Sequence, residues 1–148
     1  MADATVVRLL VFRVGSLACA AEADVVREIL PRQPTIRIPG APATVAGLVN
    51  VRGSLVTVVE GWRALDQAAP EASEAGTVVL LDVGPERRPL GFTVDEVLDF
   101  LAIPSDQLEQ RETLPGVDPR LVRAVGRRGG QVFVVLDTEA LLGPILTS

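Results

Sequence analysis

The 148-residue sequence contains no histidine and no tyrosine, one cysteine, one tryptophan, and aromatics at only 3% of positions. The missing histidine removes the residue that most often shuttles protons or binds metals near neutral pH. Without tyrosine, and with one cysteine, few nucleophiles or general bases remain. Disulfide stapling within the chain is excluded, because one thiol has no partner. Positive charge is also in deficit. Lys and Arg number 14 against 19 Asp and Glu, for a net charge of −5, which argues against a nonspecific nucleic-acid binder. Long apolar runs are lacking too. The longest charge-free run, Ile38 to Val51, holds two prolines and two glycines and is too short to span a bilayer, so no direct membrane insertion is expected. The opening Met1-Ala2-Asp3-Ala4-Thr5 shows no basic region followed by an apolar core, so no export signal is expected and the cytoplasm is the default compartment.

What is abundant is aliphatic. Apolar residues reach 48%, so a core is to be built from Val, Leu, Ile and Ala, and the length suits one domain. The stretch Gly47–Leu65 organises the rest. Two β-branched runs, Leu48–Val51 and Leu55–Val59, flank Arg52-Gly53-Ser54, which predicts a hairpin. Arg52 at its tip cannot be core. It is either a solvated turn residue or a contact residue, and arginine is enriched among residues that dominate interface energetics. Glu28 is placed to lie on a neighbouring strand and orient it, an exposed pair that fixes geometry and adds little stability.

Along the chain, Val6–Val14 and Leu17–Ala21 are predicted strands joined at Gly15-Ser16. A short helical turn capped by Asp24 precedes Val25–Leu30. Prolines at 31, 34, 39 and 42 break the next segment, leaving Thr35–Ile38 as at best a short edge strand. Gly61–Gln67 reads as one or two helical turns, and residues 68–76 as an exposed linker. A second series follows: Thr77–Val83, a polar turn at 84–89, Leu90–Val94 and Val97–Ile103. Ser105 or Asp106 caps a brief helix through Gln110, and 111–120 is loop. Leu121–Val125 and Val132–Asp137 form another hairpin around Arg127-Arg128-Gly129-Gly130, and a last helical turn from Thr138 is stopped by Gly143-Pro144. The two series match in order, which predicts barrel-like halves at 1–67 and 77–148, each of about five short strands.

Several chemical readings carry little weight. Asp82 and Asp137 follow leucine at strand ends, like the paired aspartates of acid proteases, but Asp137 is followed by Thr-Glu without the required glycine. Both read better as strand terminators or caps. Cys19, among Leu17, Ala18, Ala20 and Ala21, reads as a small buried hydrophobe. Trp62 reads equally as an interface anchor or a lid over a barrel end.

One set of residues points further. The runs Leu10-Val11-Phe12-Arg13-Val14-Gly15, Val26-Arg27-Glu28-Ile29, Ile38-Pro39-Gly40-Ala41-Pro42 and Val45-Ala46-Gly47-Leu48-Val49-Asn50-Val51-Arg52-Gly53 give nearly the whole first half a recognisable pattern. Leu90–Val97 and Val132–Asp137 extend it. With these motifs the chain resembles the CheW-type chemotaxis coupling proteins. The resemblance implies a mostly β fold of two intertwined five-stranded SH3-like barrels, with strand exchange between the halves and few short helices, and no catalysis, cofactor or metal. It implies a bridge between the cytoplasmic tip of methyl-accepting chemotaxis receptors and the regulatory domain of the histidine kinase CheA, in rings that can include other CheW-like proteins. The receptor-binding positions fall on Val26, Glu28, Gly47 and Arg52. The chain departs from the family where Val-Asp-Leu-Arg is usual, since Val59 leads into Glu60-Gly61-Trp62-Arg63. Gly61, Trp62 and Arg63 are therefore the candidate kinase or ring interface. Two further readings stand beside this one: an array component that binds receptors without coupling to the kinase, and a small-molecule-binding β-barrel that would require Asp82 and Asp137 to face one another across a pocket.

Overall fold

The computed structural model describes residues 5–70, 76–110 and 116–146. Strand β1 (Val6–Val14) is apolar on both faces: Leu10, Phe12 and Val14 enter one core, while Leu9 and Val11 enter another. A turn at Gly15-Ser16 returns the chain as β2 (Leu17–Glu22). After a single 3₁₀ turn at Ala23–Val25 come β3 (Val26–Pro31), β4 (Val45–Val51) and β5 (Ser54–Val59), then the one-turn helix α1 (Gly61–Ala64). The second series comprises β6 (Thr77–Val83), β7 (Arg88–Val94), β8 (Glu96–Pro104) and the two-residue β9 (Glu109–Gln110). It ends with β10 (Val122–Arg128), β11 (Gln131–Leu136) and helix α2 (Thr138–Leu146).

Two sheets form, mostly β as expected. One has the order β3-β6-β7-β5-β4; the other, β8-β1-β2-β11-β10, carries the stub β9 at its edge. Neither follows the halves of the chain. Each sheet takes the opening hairpin of one series and the later strands of the other, joined by parallel pairings of β5 with β7 and of β11 with β2. A boundary at 68–76 therefore does not separate the sheets, because β1 and β2 pair with strands beyond residue 95. Of that expected linker, residues 71–75 lie outside the described residues, as do residues 111–115 of the expected loop.

The exchange explains the two-faced strands. In β6, Val79, Leu81 and Val83 face the central core shared by both sheets, while Val78 and Leu80 fill the β3–β7 barrel. The central core places Phe12 of one sheet against Phe92 of the other, ring centroids 6.1 Å apart, and closes with Leu141 and Leu142 of α2. Scarce aromatics are seated where glycine makes room. A Cβ on Gly126 would come within 2.5 Å of the Phe133 ring.

Local expectations change at several points. The turn at residues 23–25 starts after Glu22, so Asp24 lies inside it and caps nothing. Thr35–Ile38 contributes one bridge, Ile36 to Leu48. A 3₁₀ turn at Ser105–Gln107 gives way to β9 in place of a helix through Gln110, and neither Ser105 nor Asp106 occupies its N-cap, which is Pro104. Helix α2 passes through Gly143-Pro144 to Leu146. A proline inside a helix forfeits one backbone N–H, yet Ile145 and Leu146 beyond it pack on the central core, and this packing outweighs the local signal.

Cys19 is fully buried on β2, and burial drives its thiol pKa far up, so the thiolate is suppressed. Native protein is expected to show no reaction with a disulfide reagent such as DTNB at pH 8 over minutes, and one equivalent after denaturation. Rapid labelling of folded protein would contradict the burial of β2.

Candidate functional site

The turn between β4 and β5 contains two residues, Arg52 and Gly53, both at positive φ (51° and 86°). This is the type I′ geometry, whose twist matches that of the flanking strands and which favours Asn or Gly at its first position. Arginine there is strained, and strain of this kind gathers at functional positions. The Asn50 side chain supports the turn, its Oδ1 accepting the Gly53 N–H at 2.8 Å.

Strands β3 and β4 are the opposite edges of their sheet. Laid flat, four strand spacings would separate them by about 19 Å. The sheet instead curls until Arg52 reaches Glu28 on β3. Both terminal guanidinium nitrogens donate to the carboxylate: Nη1 to Oε1 at 2.6 Å, and Nη2 to Oε2. Glu28 alternates with Val26 and Leu30 on the more buried face of β3, its side chain 25% exposed, whereas that of Arg52 is 72% exposed. An inward charge on an edge strand also discourages pairing with another chain. The hydrogen bonds from Arg52 hold the Glu28 carboxyl below the usual carboxylate range, against the opposing effect of desolvation, and the charge of Arg52 adds to the lowering. A lowered carboxylate pKa contributes stability above the ordinary range and loses it as pH falls through the lowered value. The pair is therefore intact at neutral pH. Leu55, 61% exposed, stands just past the turn as an apolar neighbour.

The other two predicted receptor positions play supporting parts. Val26 opens β3, pairs with Leu81 and packs on the central core. Gly47 is buried at a bulge in β4 (φ 150°), and a Cβ there would lie 2.3 Å from the Ile36 carbonyl oxygen. It lets the 32–44 segment cross β4 closely and does not sit beside Arg52, from which it is about 16 Å away at the strand rise.

A second cluster lies at the opposite end of this hairpin, where Val45 pairs with Val59. Glu60 follows, with its side chain only 13% exposed. Its carboxylate accepts from Arg32 Nη2 at 2.8 Å, Trp62 Nε1 at 3.0 Å and Thr93 Oγ1 at 3.4 Å. Arg63 stacks over the Trp62 ring, 4.4 Å from its centroid. Gly61, expected at an interface, is buried. Its N–H donates to Thr93 Oγ1 at 2.9 Å, and a Cβ would meet the Thr93 carbonyl oxygen at 2.1 Å and the Phe92 ring at 3.1 Å. It seats α1 on β7 and so places Trp62 and Arg63. Arg32 and Arg37, which border this cleft, have no sequence signal, being five residues apart in a proline-broken segment.

The other candidates have structural duties. Asp82 is held by Arg27 at 2.7 Å and Arg87 at 3.0 Å, and Asp137 Oδ1 accepts the Ala140 N–H at 3.0 Å at the start of α2. Among the described residues no group of three or more Cys, Asp or Glu could hold a metal ion, and no helix is long and apolar enough to cross a membrane.

Fold and site together define a double SH3-like β-barrel protein that presents charged side chains at both ends of one hairpin. The CheW-like domain family model matches residues 8–145, and the chain belongs to that family. It is 33% identical over 95 residues to the chemotaxis protein CheW of Rhizobium meliloti (strain 1021), covering 64% of this chain and 60% of that protein. It is 26% identical over 139 residues to the chemotaxis protein CheW of Treponema pallidum (strain Nichols), covering 90% and 81%. The crystal structure of the scaffolding protein TtCheW from Thermoanaerobacter tengcongensis matches with a TM-score of 0.84 over 93% of both chains, at 16% identity, and shows the same fold.

Two outcomes follow. Gly61→Ala is expected to destabilise the protein by about 1–3 kcal/mol in chemical denaturation, because its methyl group meets backbone; an unchanged midpoint would refute the close seating of α1. The Glu28 side-chain carboxyl resonance is expected to titrate below the ordinary glutamate range, and to move back toward it in Arg52→Ala. Equal midpoints in the two proteins would deny the pair in solution.

Proposed function

We propose that this protein is a non-enzymatic adaptor of a bacterial chemosensory array, joining the cytoplasmic tips of methyl-accepting chemoreceptors to the regulatory domain of the histidine kinase CheA. Its place is the cytoplasm. The observation that carries the reading is Arg52, kept in a strained turn conformation at an exposed hairpin tip and aimed by a bidentate pair with Glu28. Such a pair adds little to stability when exposed. It does fix a guanidinium on a rigid element, as a contact that must dock in one geometry requires. Membership of the CheW-like family, and relatives that are chemotaxis proteins, support partners of this kind.

The receptor face comprises Arg52 and Glu28, with Val26 and Gly47 setting the positions of β3 and β4. Trp62 and Arg63, seated by Gly61, form the face toward the kinase or the neighbouring ring member. At about 3.3 Å per residue the seven-residue β4 separates the two ends by roughly 20 Å, enough for two partners at once. The departure at Glu60-Gly61-Trp62 favours one second reading, an array component that holds receptors without recruiting kinase.

Calorimetric titration with a receptor cytoplasmic tip, and separately with the CheA regulatory domain, tests both. Arg52→Ala is expected to retain the melting temperature while weakening receptor binding at least about tenfold, the scale of a hot-spot arginine. Unchanged receptor binding would defeat the assignment of Arg52. Receptor binding without kinase binding would establish the second reading.

A further inference from the structure

The cleft at the base of the hairpin is cationic in a protein of net charge −5. It has a volume of about 580 Å³ and is bordered by Arg32, Arg37, Arg63, Glu60 and Trp62, with small apolar residues between them. Glu60, the one carboxylate bordering it among the described residues, is taken up by Arg32, Trp62 and Thr93. Arg37 and Arg63 have no carboxylate partner among the described residues, although the chain carries more acids than bases. Among the described residues two exposed guanidiniums thus flank one cleft without a counter-charge, and one of them lies over an indole.

We infer that this cleft binds an acidic, extended segment of a protein partner, with side-chain carboxylates on Arg37 and Arg63 and the peptide's apolar stems against Trp62. Guanidinium forks recognise carboxylates in a paired, planar geometry, which a segment rich in Glu or Asp supplies. The volume exceeds what one small anion fills, and the alanines at 43, 46 and 69 offer apolar wall between the charges. Glu60 is the reason that the pocket is preorganised. Its nearly buried carboxylate fixes the indole through Nε1 and holds Arg32 back, so the free guanidiniums face solvent from an already ordered frame.

This deepens the adaptor reading at its second face, and rests on it for there being a protein partner at all. Its test is independent of receptor and kinase. Trp62 is the only tryptophan and there is no tyrosine, so excitation at about 295 nm reports on this cleft alone. The probes are a hexaglutamate peptide and a hexaglutamine peptide, both capped at each end, and inorganic phosphate, each titrated into the 148-residue protein. The hexaglutamate is expected to change Trp62 emission saturably and the hexaglutamine not, and binding is expected to weaken at least about tenfold between roughly 50 and 500 mM NaCl. Arg37→Ala, which disturbs neither the indole nor Glu60, is expected to weaken binding about tenfold, and Arg37→Ala with Arg63→Ala to abolish it. Arg52→Ala is expected to bind hexaglutamate normally even where receptor binding is lost, which keeps failure of this inference distinct from failure of the receptor assignment. No saturable response to hexaglutamate, an equal response to hexaglutamine, or undiminished binding in a folded double variant would overturn the inference. Phosphate binding as tight as that of the acidic peptide would overturn it in favour of a simple anion site.

Discussion

Strands β1 and β6 each carry apolar side chains on both faces, and most of the architecture depends on that constraint. A strand of this kind has to be covered twice. The chain meets the demand by placing β1 and β2 with the later strands of the second series, and β6 and β7 with those of the first. One face of each then fills its own barrel, and the other meets its counterpart in the central core around Phe12 and Phe92. The barrels cannot separate without exposing that core, so they hold their relative position as a scaffold must.

The β4–β5 hairpin shares this rigidity. Through β5 it is tied by parallel pairing to β7, a strand of the exchanged hairpin, so both of its ends are fixed to the same frame. At the tip, backbone strain and a bidentate partner set one guanidinium. At the base, a nearly buried carboxylate sets an indole and leaves two other guanidiniums facing outward. The two ends use the same device, an acid whose charge is committed to orienting its neighbours.

Glycine does much of the positioning in a chain so poor in aromatics. Gly47 admits the crossing segment, Gly61 admits α1 onto β7, and Gly126 admits the Phe133 ring. In each case the missing Cβ is replaced by a neighbour's backbone or ring, so close approach substitutes for side-chain bulk. The surface role expected of Gly61 fails for this reason. A residue that differs from the family pattern at a helix start reads as an interface change, but here it is a packing residue that seats α1 and with it Trp62.

Most strands, the two series, the hairpin and the exposure of Arg52 are legible in the chain alone, because alternation, β-branching and turn glycines are local signals. The pairing of Arg52 with Glu28 is legible as a pair but not in its route: Glu28 lies on the opposite edge strand, not on a neighbouring one, and the two meet only because the sheet curls. Which strands share a sheet is settled only on folding, since the parallel pairings join residues far apart in the chain and leave no local trace. Folding also carries α2 through Pro144, where packing on the core outweighs a helix-breaking residue. The cationic cleft belongs to the same class. Arg32 and Arg37 come from a proline-broken segment, Trp62 and Arg63 from a helical turn, and nothing but the folded path of the chain brings their charges to one place.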